Sequence, residues 1–235
     1  MVAEARRAPL QGPAFIRLLA GLAEAGPQAE GIALSERLGQ WIDWSHAVAL
    51  SRALDGRLPA PAADEAGLAD PAGQCARARA RLVQAIDDAP ELAGPAAFAG
   101  EPDFAPFRKR HAALQQSMLM ATGRLRGQLR DALSALPEPA TRLAEVDALM
   151  ERVLGPREQA LLGRVPDLLD AHFRRLCDQA GTGATPARDD ALAPAPWLAR
   201  FRRDLRAVLL AELDVRFHPI EGLLAALQPP TTGTP

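Results

Sequence analysis

The chain has 235 residues, 27 basic and 29 acidic, for a formal net charge of −2. That length supports a sizeable core and one or two domains, and the balanced charge excludes a molecule that is polycationic as a whole. With no Tyr, seven Phe and few Ile among abundant Ala, Leu, Arg, Glu and Gln, the composition excludes a β-rich fold and favours an all-α one.

In chain order, residues 1–12 read as a flexible arm. Pro13 opens a short helix carrying Phe15, Leu18, Leu19 and Leu22, which Gly26 and Pro27 end. A second helix is expected from about Leu34 to Asp55, with Leu34, Leu38, Trp41, Ile42, Val48 and Leu54 at helical spacing and Gly56 as its stop. A Pro/Ala/Asp/Gly linker follows. Asp70-Pro71 is an N-cap with proline at the first helical position, and the helix it starts, with Leu82, Val83 and Ile86, halts near Pro90. These elements make a smaller N-terminal helical region over residues 13–90.

Residues 103–228 carry the stronger pattern. Phe107, His111, Leu114, Met118, Ala121, Leu125, Leu129, Ala132 and Leu136 step by fours and threes, the seam of a coiled coil or long bundle helix. Pro137 and Pro139 turn the chain. The return helix carries Leu143, Val146, Met150, Val153, Leu161, Val165, Leu169, Phe173 and Leu176, with a kink or break expected near Gly155-Pro156 and a milder bend at Pro166. A last helix starts at Pro196 and carries Leu198, Phe201, Leu205, Leu209, Leu213, Phe217, Ile220, Leu224 and Leu227. Residues 229–235 are a tail. Helices of about 30 residues extend roughly 45 Å, so the expectation is an elongated antiparallel bundle of three long helices.

Chemistry-bearing constellations are sparse. Lys109, the single lysine, sits in Phe-Arg-Lys-Arg with no glycine loop before it, so no P-loop is present. His46, His111, His172 and His218 match no zinc or di-iron spacing, and His111 falls on the seam as a packed histidine. Cys75 and Cys177 make no disulfide framework. No catalytic residue, metal or cofactor is expected. No secretory leader or stretch of about 20 apolar residues is read, so the expected location is cytoplasmic.

Two features suggest binding. Trp41 lies on an apolar stripe, whereas Trp44 projects elsewhere; both fit a small core, and Trp44 also fits a partner-binding anchor. If the three long helices run up, down and up, Arg108, Lys109, Arg110, Arg174, Arg175, Arg200, Arg202, Arg203 and Arg206 gather at one end. Glu138, Glu145, Asp147, Glu212, Asp214 and Glu221 lie toward the other end or the middle. The arginine-rich end reads either as solvated helix faces paired locally with Asp103, Asp178 and Asp204, or as a site for duplex backbone or an acidic protein face. Arg77, Arg79 and Arg81 alternate round their helix, and the expectation is that they make no single patch.

The segments Ser-Glu-Arg-Leu-Gly-Gln-Trp-Ile-Asp-Trp (35–44), Phe-Ala-Pro-Phe-Arg-Lys-Arg (104–110), Arg-Glu-Gln-Ala-Leu-Leu (157–162) and Trp-Leu-Ala-Arg-Phe-Arg-Arg-Asp-Leu-Arg-Ala-Val-Leu-Leu-Ala-Glu-Leu-Asp (197–214) resemble a proteobacterial family of Arg-rich helical proteins of unassigned function. That family is found beside a stator-like and an OmpA-like membrane protein, an arrangement similar to the type III Zorya antiphage systems. The resemblance implies a non-enzymatic soluble accessory of a motor-linked defence complex. Its expected partner is a companion soluble protein of the same gene cluster, with double-stranded DNA a candidate further contact and no insertion into the membrane. The alternative is a stand-alone nucleic-acid-binding module using the arginine-rich end.

Overall fold

A computed structural model describes residues 14–23, 44–56, 68–93, 102–183 and 196–228. These residues are helical with no strand among them, in eight segments: α1 (Ala14–Ala23), α2 (Trp44–Asp55), α3 (Pro71–Asp87), α4 (Pro90–Ala93), α5 (Ala105–Ser134), α6 (Ala140–Leu162), α7 (Val165–Gly183) and α8 (Pro196–Leu227). The all-α expectation holds. The first part of the expected Leu34–Asp55 helix, including Trp41, lies outside the described residues, as do 1–12 and 229–235.

Helix starts follow local chemistry. Asp70 adopts the left-handed region (φ 50°) and its Oδ1 accepts the Gly73 N–H at 2.9 Å, capping α3 ahead of Pro71. Asp103 Oδ1 accepts the Ala105 N–H at 2.8 Å at the start of α5. At the other end of α2, the Gly56 N–H closes on Arg52 O at 2.7 Å.

The return path is two helices rather than one. α6 runs unbroken through Pro156, and the chain breaks instead at Gly163-Arg164 before Pro166. Each proline removes a donor, and Pro166 leaves the Leu162 carbonyl four residues earlier without an N–H. That carbonyl accepts Gln115 Nε2 from α5 at 3.3 Å, and Pro166 falls in the first turn of a new helix, where proline is tolerated.

α8 is the hub. Leu198, Phe201, Leu205, Val208, Leu209, Leu213, Phe217, Ile220 and Leu223 are buried along its length, and α1, α3, α4, α5, α6 and α7 all pack on it. Its most extensive neighbour is α5, whose buried positions are Phe107, His111, Leu114, Met118, Thr122, Leu125, Leu129 and Leu133. This face recurs every eleven residues (107, 118, 129; 111, 122, 133), about 3.67 residues per turn and closer to the helix's own 3.6 than a seven-residue repeat is. The expected seven-residue seam drifts off it: Thr122 and Leu133 replace Ala121 and Ala132, and Leu136 is exposed.

One buried apolar cluster joins Phe15 and Leu22 of α1 and Cys75, Leu82 and Ile86 of α3 to the long helices. At one end Phe104, Phe107, Phe173 and Phe201 meet, with the Phe173 and Phe201 centroids 5.0 Å apart and edge-on, and Trp197 against Phe173 at 5.3 Å. Four of the chain's seven phenylalanines thus lock α5, α7 and α8 together.

Arg142 of α6 secures α2. Its guanidinium donates to the carbonyls of Ala53 (3.0 Å), Leu54 and Gly56 (3.3 Å), and it pairs with Glu138 at 2.8 Å. A cation on the last carbonyls of a helix satisfies acceptors that have no partner within it and complements the helix dipole. Arg142→Ala should therefore free α2, at about 1–3 kcal/mol. Hydrogen exchange of the amides in residues 47–56 should quicken well before that of α5 and α8, whereas uniform acceleration would mean that α2 has no separate anchor.

Candidate functional site

Of the nine residues of the expected basic end, seven are engaged by neighbouring groups. Arg108 of α5 reaches Asp167 (3.1 Å) and Asp170 (3.5 Å) of α7, and Arg174 holds Asp170 through two 3.0 Å bonds. Arg110 forms a two-bond fork with Glu91 of α4 at 2.6 and 3.2 Å, while Arg202 of α8 donates to the Glu91 carbonyl at 2.9 Å. Arg206 pairs with Asp87 at 2.7 Å, and Arg200 stands 3.9 Å from Asp204. Arg175 donates to Leu22 O, the end of α1, and to His172 Nδ1, each at 2.7–2.8 Å.

The bonding inverts the simplest picture of that end as a free cationic face. Burial raises the Glu91 carboxyl, but its bonds to Arg110 outweigh that and hold it below the usual range. Burial also pushes Arg202 downward. Lys109 and Arg203 are the members of the set that are exposed and carry no ion partner among the described residues. The end is a lattice of alternating charge whose arginines tie helices together.

Because a guanidinium only donates, His172 Nδ1 accepts from Arg175, and its Nε2–H donates to Asp204 at 2.8 Å. His172 is buried and both of its nitrogens are engaged, so it holds α7 to α8. Among the described residues no group of three His, Cys, Asp or Glu side chains is placed to hold a metal ion. Among the same residues no helix is long and apolar enough to cross a membrane.

Trp44, the first residue of α2, is 84% exposed. Around Arg142, at the opposite end of the long helices from the aromatic cluster, Leu54, Leu136 and Leu143 are also exposed. They belong to the end of α2, the α5–α6 turn and the start of α6.

A buried polar cluster sits between α5 and α8. Glu212, grouped by sequence with the acids toward the other end or the middle of the bundle, has no exposed area. Its carboxylate accepts from Gln115 Nε2 (3.0 and 3.1 Å) and from Arg216 Nε (3.0 Å) and Nη2 (2.8 Å). His111, also fully buried, lies 3.8 Å from Glu212 Oε2, and neither ring nitrogen has a hydrogen-bond partner. The sequence carried the signal: Glu212 lies eleven residues from both Phe201 and Leu223, on the buried face, with Arg216 one turn on.

These features define an all-α protein whose described helices are tied together by arginine-centred networks. The model of the family described as "Protein of unknown function (DUF3348)" matches residues 1–229, and the chain belongs to that family. No curated protein and no solved structure matches it.

Burial, with Arg216 nearby, lowers His111 to about 4. In the unfolded chain the imidazole takes its proton near 6.5, so between 6.5 and 4 the unfolded state binds the extra proton. His111 therefore contributes stability that is complete above pH 6.5 and falls as pH drops toward 4, by roughly 3 kcal/mol at most. His111→Leu should flatten the stability profile in that window relative to the parent, as read by denaturant midpoints; parallel profiles would refute this.

Glu212→Ala should cost about 3–5 kcal/mol, because it strands the Arg216 guanidinium in the core. The double replacement Glu212→Leu with Arg216→Met should cost clearly less than Glu212→Ala alone in the same unfolding assay.

Proposed function

We propose that this protein is a non-enzymatic interaction subunit, a cytoplasmic accessory of a motor-linked antiphage complex that docks a companion soluble protein. On this reading α5, the α6–α7 return and α8 act as the long antiparallel bundle, a stiff body that presents the docking surface. The observation that carries the reading is the exposed apolar group at Leu54, Leu136 and Leu143, with Trp44 exposed on the same α2 helix. Exposed large apolar side chains at one end of the long helices are the raw material of interface hot spots. The sequence resemblance supplies the kind of complex, and α2, fixed through Arg142, supplies a pre-ordered platform.

Against the alternative of a nucleic-acid module at the arginine-rich end stands the internal pairing of Arg108, Arg110, Arg174 and Arg206. A phosphate there would have to displace carboxylates already in place. The two readings separate on co-expression with the companion soluble protein of the gene cluster. Size-exclusion light scattering should give a stable heteromeric complex, and Leu54→Ser with Leu143→Ser, or Trp44→Ala, should weaken it by about tenfold or more. Absence of any complex with the parent chain would refute the proposal.

A further inference from the structure

Most arginines that bridge two helices here meet a carboxylate. Arg126 forks onto Asp147 at 2.7 and 2.8 Å, Arg130 joins Asp147 and Glu151, and Arg79 joins Asp214 and Glu221 while lying 5.2 Å over the Phe217 ring. Arg79 thus turns toward α8. Its neighbours Arg77 and Arg81, one turn apart, share the other face of α3 and look toward α5, where Arg124 approaches them.

The result is a cleft of about 320 Å³ between α3 and α5, bordered by Arg77, Arg81 and Arg124, with Gln74 and Gln128 at its margins and Leu125 in its wall. No acidic residue lines it. Arg81 and Arg124 are exposed and form no hydrogen bond or ion pair among the described residues. Arg77 is engaged on one side only, through its Nη1 to Asp70 Oδ2 at 3.1 Å. Of the three arginines read as alternating round α3 without a single patch, Arg77 and Arg81 thus line one cleft with Arg124 of α5, and Arg79 turns to α8.

We propose that this cleft is a binding site for phosphate groups. A single carboxylate satisfies a single guanidinium fork, as Glu91 does for Arg110. Three forks facing one acid-free cleft suit a group with more charge and more acceptor oxygens, which phosphoryl oxygens provide in the geometry guanidinium favours. Gln128 adds a neutral amide to the lining, and Gln74 adds another whose Nε2 also donates to the Ala69 carbonyl at 2.7 Å. Two α-helices packed side by side fix the backbone positions from which the three cations extend. The site is independent of the apolar surface around Leu54, Leu136 and Leu143, so either can fail without the other.

The phosphate can belong to a free polyphosphorylated molecule or to a nucleic-acid backbone, and two probes separate these. The full chain is titrated with inorganic tripolyphosphate by calorimetry and with a short labelled DNA duplex by anisotropy, both at low salt. Binding of tripolyphosphate alone assigns a small phosphorylated ligand, and binding of the duplex assigns a backbone. In either case Arg81→Glu with Arg124→Glu should weaken binding about tenfold or more, and added salt should weaken it steeply. Arg200→Glu with Arg203→Glu makes the same change in net charge at the basic end and should leave binding within about threefold of the parent. Circular dichroism of both doubles checks that the helices remain. The proposal is overturned if the parent chain binds neither probe. It is equally overturned if both doubles weaken binding alike, or if polyglutamate binds as well as the phosphate probes with the same dependence on Arg81 and Arg124.

Discussion

Every α-helix ends on carbonyls that have no donor within it, and in this protein four such ends, those of α1, α2, α4 and α6, are met by side chains from other helices. Arg175 of α7 closes α1 at Leu22, Arg142 of α6 closes α2 at residues 53–56, Arg202 of α8 reaches the Glu91 carbonyl of α4, and Gln115 of α5 takes up the Leu162 carbonyl that Pro166 leaves orphaned. Satisfying each end fixes where the next helix lies, because the donor sits on a helix that is itself packed. Arginine is well shaped for closing helix ends, since its long stem crosses the apolar gap and its flat fork meets two or three carbonyls at once.

The same bonding explains a chain so rich in arginine with a net charge near zero. Cations are committed to helix ends and to carboxylates of neighbouring helices, so charge count alone overstates the surface available for anions. Surface pairs of this kind contribute little individually to stability. The half-buried ones, such as Arg126 with Asp147, act as register marks between α5 and α6.

Much of the fold was legible. Asp70-Pro71, Gly56 and Pro196 marked helix limits that the structure keeps, and His111 was readable as a packed histidine because it stands on the periodic face of α5. Three things were not. The choice between a seven- and an eleven-residue repeat rests on single positions, Ala121 against Thr122 and Ala132 against Leu133, where alanine fits either face. Pro156 and Pro166 each remove a donor, and nothing local to either tells which of them coincides with a helix boundary. The grouping of Arg77 and Arg81 with Arg124 is tertiary, since it needs α3 laid against α5 with a particular rotation.

The buried cluster of His111, Gln115, Glu212 and Arg216 is best understood as a device for specificity. An apolar face repeating every eleven residues on both α5 and α8 could slide by one repeat and still bury Leu against Leu. Sliding would carry Glu212 and Arg216 away from Gln115 and leave a charged pair facing hydrocarbon, a state costing several kcal/mol. The native alignment is the one in which the Glu212 carboxylate receives four short contacts and the charge of Arg216 is answered within its own helix. His111 completes the selection: its ring is tolerated there only uncharged, so the alignment is held most firmly at neutral pH and above. The cluster contributes less to how much stability the chain has than to which arrangement of the two long helices has it. Both the apolar surface around Arg142 and the arginine cleft between α3 and α5 depend on that arrangement.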